Sequence, residues 1–487
     1  MTLSVREDSP VGWVTAIPAS VWRSFGASFE CILPQQPRKC YRDGTAHFAA
    51  TALALATGWA ALIRKRLGNR MEPRYRTVSE SCLLDLLLLG GWAFELECGR
   101  RAEALRSTQA SLESWIALGL PYARSASGER LYDPVEALNF MKWAGLEGLD
   151  TFWRERYVGT GRALVCDLAG RRDDTPWPDG RTDARFHVSL QRSFELRSFA
   201  PGARLRLRMP IPLSSAYVRD IEVRPSVSPE CRAELAVRDG RVETRLIAGT
   251  DPVLEIGAEV WFTATARPAD IAPPEDDLAA SEKDIYLRAQ DGLIRGTPRI
   301  LALARTLAGP ASAPWNSLRS FWNYMLDELS SGAVHYDQVD ARAPGDWVLE
   351  SGWYDCQLGS ALFVSLCRAR GIPARIISGH FLYRLAPTRH YWAEAWIDGR
   401  GWLPFDLTCW DLSAGGRDPG WRDHFAGSID YRMVTQCLPK FFTGSMSVQL
   451  PAAWHMLQAR CDQGVDISMV ALDGRLSYRD RISVLPT

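Results

Sequence analysis

Net charge is the first thing this chain lacks: its 487 residues carry 57 Lys and Arg against 57 Asp and Glu. That balance argues against binding nucleic acid or an anionic membrane through bulk charge. Paired cysteines are missing too. The eleven cysteines are odd in number and scattered, with no C-x-x-C pair, so neither a disulfide framework nor a zinc knuckle is expected. A reducing, cytoplasmic compartment fits this usage. The opening residues MTLSVREDSPVGW contain acidic residues and no apolar centre, so no secretory leader is expected. Two apolar runs imitate membrane spans without qualifying. Residues 46–63 are uncharged and followed by Arg64-Lys65-Arg66, but they are mostly Ala and Thr, with His47 and Gly58 inside. Residues 82–94 are too short and carry Asp85. Both read as helices of a soluble protein. No regularly spaced acidic loop of the calcium-binding kind occurs, so no metal and no cofactor is expected.

What is present is enough apolar residue, 46%, to build several cores, and the length suggests about three domains. Residues 1–165 read as a helical domain. Thr77 with Glu80 resembles a capping box ahead of Leu83-Leu84, and Asp133-Pro134 with Glu136 marks a second helix start. Residues 173–180, DDTPWPDG, form a polar linker. The periodicity then changes from helical to alternating. Leu205, Leu207 and Met209 alternate with Arg204, Arg206 and Arg208, and Asp239-Gly240 sits between two alternating runs as a hairpin turn. Residues 183–268 are therefore an antiparallel β domain, and the arginine stripe reads as its solvated face. A second Pro-rich and acidic linker leads to residues 285–487. There 298–307 and 315–329 read as helices, and 465–484, with Asp473-Gly474 as the turn, reads as a terminal hairpin of that last domain.

Chemistry concentrates between Trp353 and Thr408. Cys356 opens a run in which Leu358, Leu362 and Leu366 recur every four residues until Gly371 and Pro373 end it, the pattern of a helix. A thiol at a helix N-terminus meets unpaired N–H groups and the positive end of the dipole, which favour thiolate and could hold an oxyanion. His390, Trp392, Glu394 and Trp396 alternate with Tyr391, Ala393, Ala395 and Ile397 as in a strand, and Asp398-Gly399 turns it back through Trp402 to Thr408. A two-residue turn sets Leu407 opposite His390 and Asp406 opposite Tyr391, so a bulge or a bend at Gly401 is needed to bring the carboxylate onto the imidazole's face. Cys356, His390 and Asp406 then supply a nucleophile, a base and an orienting acceptor. Trp353 and Tyr354 flank the thiol as candidates to line an acyl site or donate to an oxyanion, with plain packing as the competing reading. Cys367 lies on the same helix and reads as core. A zinc set of Cys356, Cys367, His380 and His390 lacks the short paired spacing of structural zinc. Glu394 reads as a structural hydrogen-bonding carboxylate.

These motifs together resemble the transglutaminase-like superfamily, whose core is papain-like. The resemblance rests on Cys356, the helix end Gly371-Ile372-Pro373-Ala374-Arg375, His390 with Trp392 and Glu394, Gly401-Trp402 and Asp406, and it covers residues 296–435. It implies that Cys356 is the nucleophile, His390 the general base and acid, and Asp406 the orienting residue. Many members carry Gly two residues before the Cys, where this sequence has Tyr354. The run RMPIPL with Tyr217 is similar to the β domain that precedes this core in many bacterial members. The implied fold class is α+β: a papain-like transglutaminase core preceded by an antiparallel β-sandwich domain and an N-terminal helical domain. The implied activity is cysteine-dependent acyl transfer on a peptide-like amide, free or carrier-bound, through a thioester resolved by water or an amine. The contrasting expectation is a catalytically silent fold used as a binding scaffold. No nucleic acid or membrane partner is expected.

Overall fold

A computed structural model describes residues 13–14, 78–81, 83–84, 101–117, 120, 122–133, 137, 183–197, 199–227, 234–249, 252–266, 277–310, 313–332, 334, 339–340, 342–382, 387, 389–409, 425–438, 454–461, 464–471 and 477–485. The chain divides into two compact units, residues 1–157 with 332–334, and residues 158–331 with 335–487. The run at 46–63 and the linker at 173–180 lie outside the described residues. Among the described residues no helix is long and apolar enough to cross a membrane.

The first unit is not purely helical. Strands β1 (Trp13–Val14), β2 (Val78–Ser79), β3 (Tyr122–Arg124) and β4 (Arg130–Tyr132) make a small antiparallel sheet in the order β1-β3-β4-β2. Helix α1 (Arg101–Ala117) buries Leu112 and Trp115. Thr77, the other half of the expected capping box with Glu80, lies outside the described residues, and Glu80 itself is engaged across the sheet. It accepts from the Tyr132 hydroxyl at 2.9 Å and pairs with Arg130 at 2.8 Å, tying the start of the next helix to β4. The second expected helix start is in place, with the Ala137 N–H bonded to the Asp133 carbonyl at 3.0 Å.

In the second unit the alternating segments form β5 (Asp183–Glu195), β6 (Arg204–Pro210), β7 (Val218–Val227), β8 (Leu235–Arg238), β9 (Arg241–Ile247) and β10 (Val253–Thr265). The β8–β9 turn is the two-residue Asp239-Gly240 pair expected from sequence. Both residues have positive φ, 48° and 69°, as a type I′ turn requires. On β6, Leu207 and Met209 are buried while Arg206 and Arg208 reach Glu243 of β9 at 2.7 and 3.1 Å. The arginine stripe is thus occupied by cross-strand ion pairs.

Helix α2 (Ala280–Tyr286) and the hairpin β11 (Gln290–Asp291) and β12 (Ile294–Arg295) lead into a helical layer. It comprises α3 (Pro298–Ala308), α4 (Pro314–Glu328), α5 (Pro344–Ser351) and α6 (Cys356–Ala369), with β13 (Ser330–Ser331) paired in parallel to β14 (Trp353–Tyr354) just ahead of α6. Thr297 caps α3, with Pro298 at its first turn, as the start signals predict. The layer packs on a four-stranded antiparallel sheet in the order β17-β16-β15-β18. Its strands are β15 (Ala374–Phe381), β16 (Arg389–Ile397), β17 (Gly401–Phe405) and β18 (Arg432–Leu438).

The chain end goes elsewhere than the sequence reading put it. Strands β19 (Trp454–Cys461), β20 (Gly464–Ala471) and β21 (Ser477–Leu485) return to the β domain, where β21 pairs with β5 along nine residues. The six-stranded sheet runs β19-β20-β21-β5-β10-β7. Strands β20 and β21 therefore complete the sheet begun at residue 183 instead of extending the last domain, and the Asp473-Gly474 turn expected between them lies outside the described residues. The edge of β5, alternately apolar and otherwise unpaired, is what draws them there. The bidentate pair of Arg192 with Asp480, 2.5 and 2.6 Å, locks this return in a buried setting. One apolar cluster then joins Val188, Leu207, Val242 and Val260 of the β sheets to Trp392, Met433 and Val434 of the β15–β18 sheet. Replacing Asp480 by Ala strands the buried Arg192 guanidinium, and should cost about 3–5 kcal/mol in urea unfolding at pH 7. A cost below about 1 kcal/mol would show that the pair does not hold the chain end.

Candidate active site

Helix α6 starts at the cysteine because Asp355 caps it. The Asp355 carboxylate accepts from the Leu358 N–H at 2.8 Å, a contribution of about 1 kcal/mol. Cys356 is partly exposed and is not disulfide-bonded. Its sulfur receives the main-chain N–H of Tyr391 and of Gln357, so the helix N-terminus meets β16 one residue beyond His390. The thiolate that a helix N-terminus favours is opposed here. Burial first, then the Asp355 charge, push the thiol up, and the two N–H groups do not offset them.

Tyr354 and Trp353 are core residues, 0% and 1% exposed. The Tyr354 ring lies along α6, where a Cβ on Gly359 would come within 2.5 Å of it. The glycine one turn into the helix makes room for the tyrosine that replaces the family's glycine. Both side chains are buried, the placement the packing reading of them expects.

The end of α6 accounts for the GIPAR stretch. Gly371 has φ 71°, the Gly371 and Ile372 N–H groups bond back to the Arg368 and Cys367 carbonyls, and the Pro373 carbonyl accepts from Trp396 N–H at 2.8 Å. Arg375 then reaches Glu394 at 2.7 Å and lies 3.8 Å over the Trp402 ring. Glu394 is accordingly the structural carboxylate its position suggested.

The β16–β17 hairpin differs from expectation by one residue, and the difference matters. Ile397 pairs with Gly401, leaving a three-residue loop, and Gly399 and Gly401 take φ of 73° and 74°. Asp398 is held away by Trp396 Nε1 at 2.8 Å and Lys283 at 3.1 Å. Paired positions now sum to 798, so extending the register one step sets Asp406 across from Trp392, on the face His390 shares. No bulge is needed. His390 Nε2 stands 2.9 Å from both Asp406 oxygens.

Asp406 is fully buried, and four groups answer its charge. Besides His390 these are the N–H groups of Thr408 and Cys409, at 3.2 and 2.9 Å, and Arg432 Nη2 at 3.1 Å. The carboxylate caps the helical turn that follows β17 while binding a ring and a guanidinium. Burial would raise its carboxyl, but His390, Arg432 and the Cys409 N–H together hold it below the usual range. His390 is 3% exposed and stacks on Phe381 with centroids 4.4 Å apart. The other core histidine, His380, is buried and pushed down to about 3 by burial and by the Arg389 and Arg192 guanidiniums, which keeps it neutral. Cys367 is wholly buried in α6. Sequence reasoning missed Asp355, Phe381, Cys409 and Arg432. Only Asp355 carried a local signal, an Asp just before a helical run.

Residues 301–407 match the family model of the transglutaminase-like superfamily. This stretch is a transglutaminase-like core. No curated protein matches the chain. Among solved structures the chain is similar to a candidate cysteine protease from Cytophaga hutchinsonii, at 13% identity and TM-score 0.40, covering 63% of this chain and 92% of that one. It is also similar to the periplasmic domain of TgpA from Pseudomonas aeruginosa, at 16% identity and TM-score 0.27, covering 48% and 92%. A candidate protease from Parabacteroides distasonis, at 12% identity and TM-score 0.21, covers 61% and 69%. Likenesses this distant carry no argument about chemistry, which rests on the residues of the transglutaminase-like core.

Two outcomes follow. A carboxyl held below its unfolded value stabilises the fold above the ordinary carboxylate range, and that stability is lost as pH falls through the folded value. Asp406→Asn should therefore cost about 3 kcal/mol in urea unfolding at pH 7 and visibly less at pH 3.5; an equal cost at both would contradict the geometry. Because the Cys356 thiol is pushed up, its alkylation by iodoacetamide should keep accelerating above pH 9. A rate already level by pH 7 would mean that the resting state is thiolate.

Proposed function

We propose that this protein is a cysteine-dependent acyltransferase or hydrolase acting on a peptide-like amide, with a papain-like core backed by a β-sandwich. The single observation that carries the reading is the short double contact of His390 Nε2 with a buried, ionised Asp406. That contact commits Nε2–H to the carboxylate and leaves Nδ1 as the base. Cys356, at the helix start beside Tyr391, is the nucleophile. With burial and the Asp355 charge pushing the thiol up, attack is coupled to proton transfer: the S–H proton goes to Nδ1 as the C–S bond forms. His390 returns that proton to the departing nitrogen as the C–N bond breaks, leaving a thioester on Cys356. Water or an amine then attacks the thioester, gives its proton to His390, and releases the acid or a new amide together with the thiol. The sulfur-directed Tyr391 and Gln357 N–H groups are the donors best placed to stabilise charge as it develops. Free and carrier-bound substrates undergo the same chemistry in this scheme, and the compartment we favour is the cytoplasm.

Intact-mass spectrometry tests this. Incubation with peptide amides or activated acyl esters should add one acyl mass on Cys356, and added amine should shorten its lifetime if transfer outcompetes hydrolysis. No adduct forms on Cys356→Ala. Equal biological activity in Cys356→Ala would instead favour a binding scaffold.

A further inference from the structure

Arg432 is fully buried and takes no part in the chemistry above, yet it touches both groups that orient His390. Its Nη2 donates to Asp406 Oδ2 at 3.1 Å, and its Cζ lies 4.2 Å over the Phe381 ring, the ring on which His390 stacks at 4.4 Å with planes 23° apart. The contacts close a ring of four side chains: His390, Asp406, Arg432 and Phe381. Strand pairing builds it. Phe381 of β15 sits directly across from Arg432 of β18, and Gly379, two residues earlier, lets β18 approach where any Cβ would collide with the Met433 carbonyl. A second carboxylate, Asp430, lies 2.6 Å from the same Nη2.

We propose that Arg432 is a positioning residue for the imidazole, fixing Asp406 by one oxygen and the ring plane through Phe381, with Asp430 moderating how strongly its charge is felt. The inference rests on the functional reading above. The ionisable groups around His390 are Asp406 and Cys409 beyond β17, Arg432 and Asp430 at β18, Cys356 with Asp355 at α6, and Arg389 and Tyr391 on its own strand. Of these, Arg432 brings positive charge to the imidazole's surroundings, while Asp406 and Asp430 bring negative charge. The two changes therefore have opposite signs.

The test follows acylation of Cys356 in the full chain by 4-nitrophenyl acetate between pH 5 and 9, with thermal unfolding as a check on folding. The rate falls towards the acidic end of this range. Arg432→Met should move that acidic limb up by about one pH unit, and Asp430→Asn should move it down by about half a unit. Arg432→Lys, which keeps the charge, should leave the limb in place while lowering the plateau rate. A merely structural role would change unfolding and leave every limb where it was, and that result overturns the proposal. If Arg432→Met does not fold, the near-isosteric Asp430→Asn still decides, since an unmoved limb there overturns it equally. Acylation that persists in Cys356→Ala points to failure of the underlying reading, a result distinguishable from either of these.

Discussion

A carboxylate with no access to water has to be answered inside the protein, and Asp406 is such a group. Burying it unpaired would cost several kcal/mol or force it to take up a proton. Its partners come from three places: His390 on β16, Thr408 and Cys409 in the turn just beyond it, and Arg432 from β18. That demand fixes the register of β16 against β17, the helical turn after residue 406, and the docking of β18 on β15. It also fixes which ring nitrogen of His390 bears the proton.

Much of this was legible in the sequence because the signals were local. Helix α6 showed its period and its stop, the β8–β9 turn was written in Asp239-Gly240, and β16 showed its alternation. The hairpin bearing Asp406 came out one residue different because Asp-Gly is a two-residue signal only when the aspartate is free to turn. Here Asp398 is engaged by Trp396 and by Lys283 from another segment, and Gly401 takes the second positive φ. Arg432 and the path of β19–β21 were illegible for a related reason. A guanidinium 26 residues from its carboxylate, and a strand some 290 residues from the one it joins, leave no mark on local periodicity.

The return of the chain end to β5 also bears on the site. The cluster that fills the β sheets contains Trp392, Met433 and Val434, so the side of the β15–β18 sheet that carries Trp392 is packed against the β domain. The other side carries Ala393 and Phe405, with Phe405 stacked near Phe363 of α6 and Trp322 of α4. Both faces of this sheet are therefore occupied near its centre. The main-chain N–H of Tyr391, on β16, is directed to the Cys356 sulfur at the start of α6.

Asp355 shows what this arrangement costs the thiol. Its carboxylate caps α6 and so holds Cys356 in position, but the same negative charge, beside a largely buried sulfur, opposes ionisation. A helix N-terminus is commonly read as a thiolate site because its dipole and free N–H groups favour an anion. Here the capping carboxylate takes one of those N–H groups and neutralises much of the dipole at short range. In the proposed mechanism activation therefore shifts from the helix to the imidazole, which accepts the proton as the sulfur reacts. A base with that duty needs one nitrogen held firmly and the other free, and the four partners of Asp406 secure the first of these.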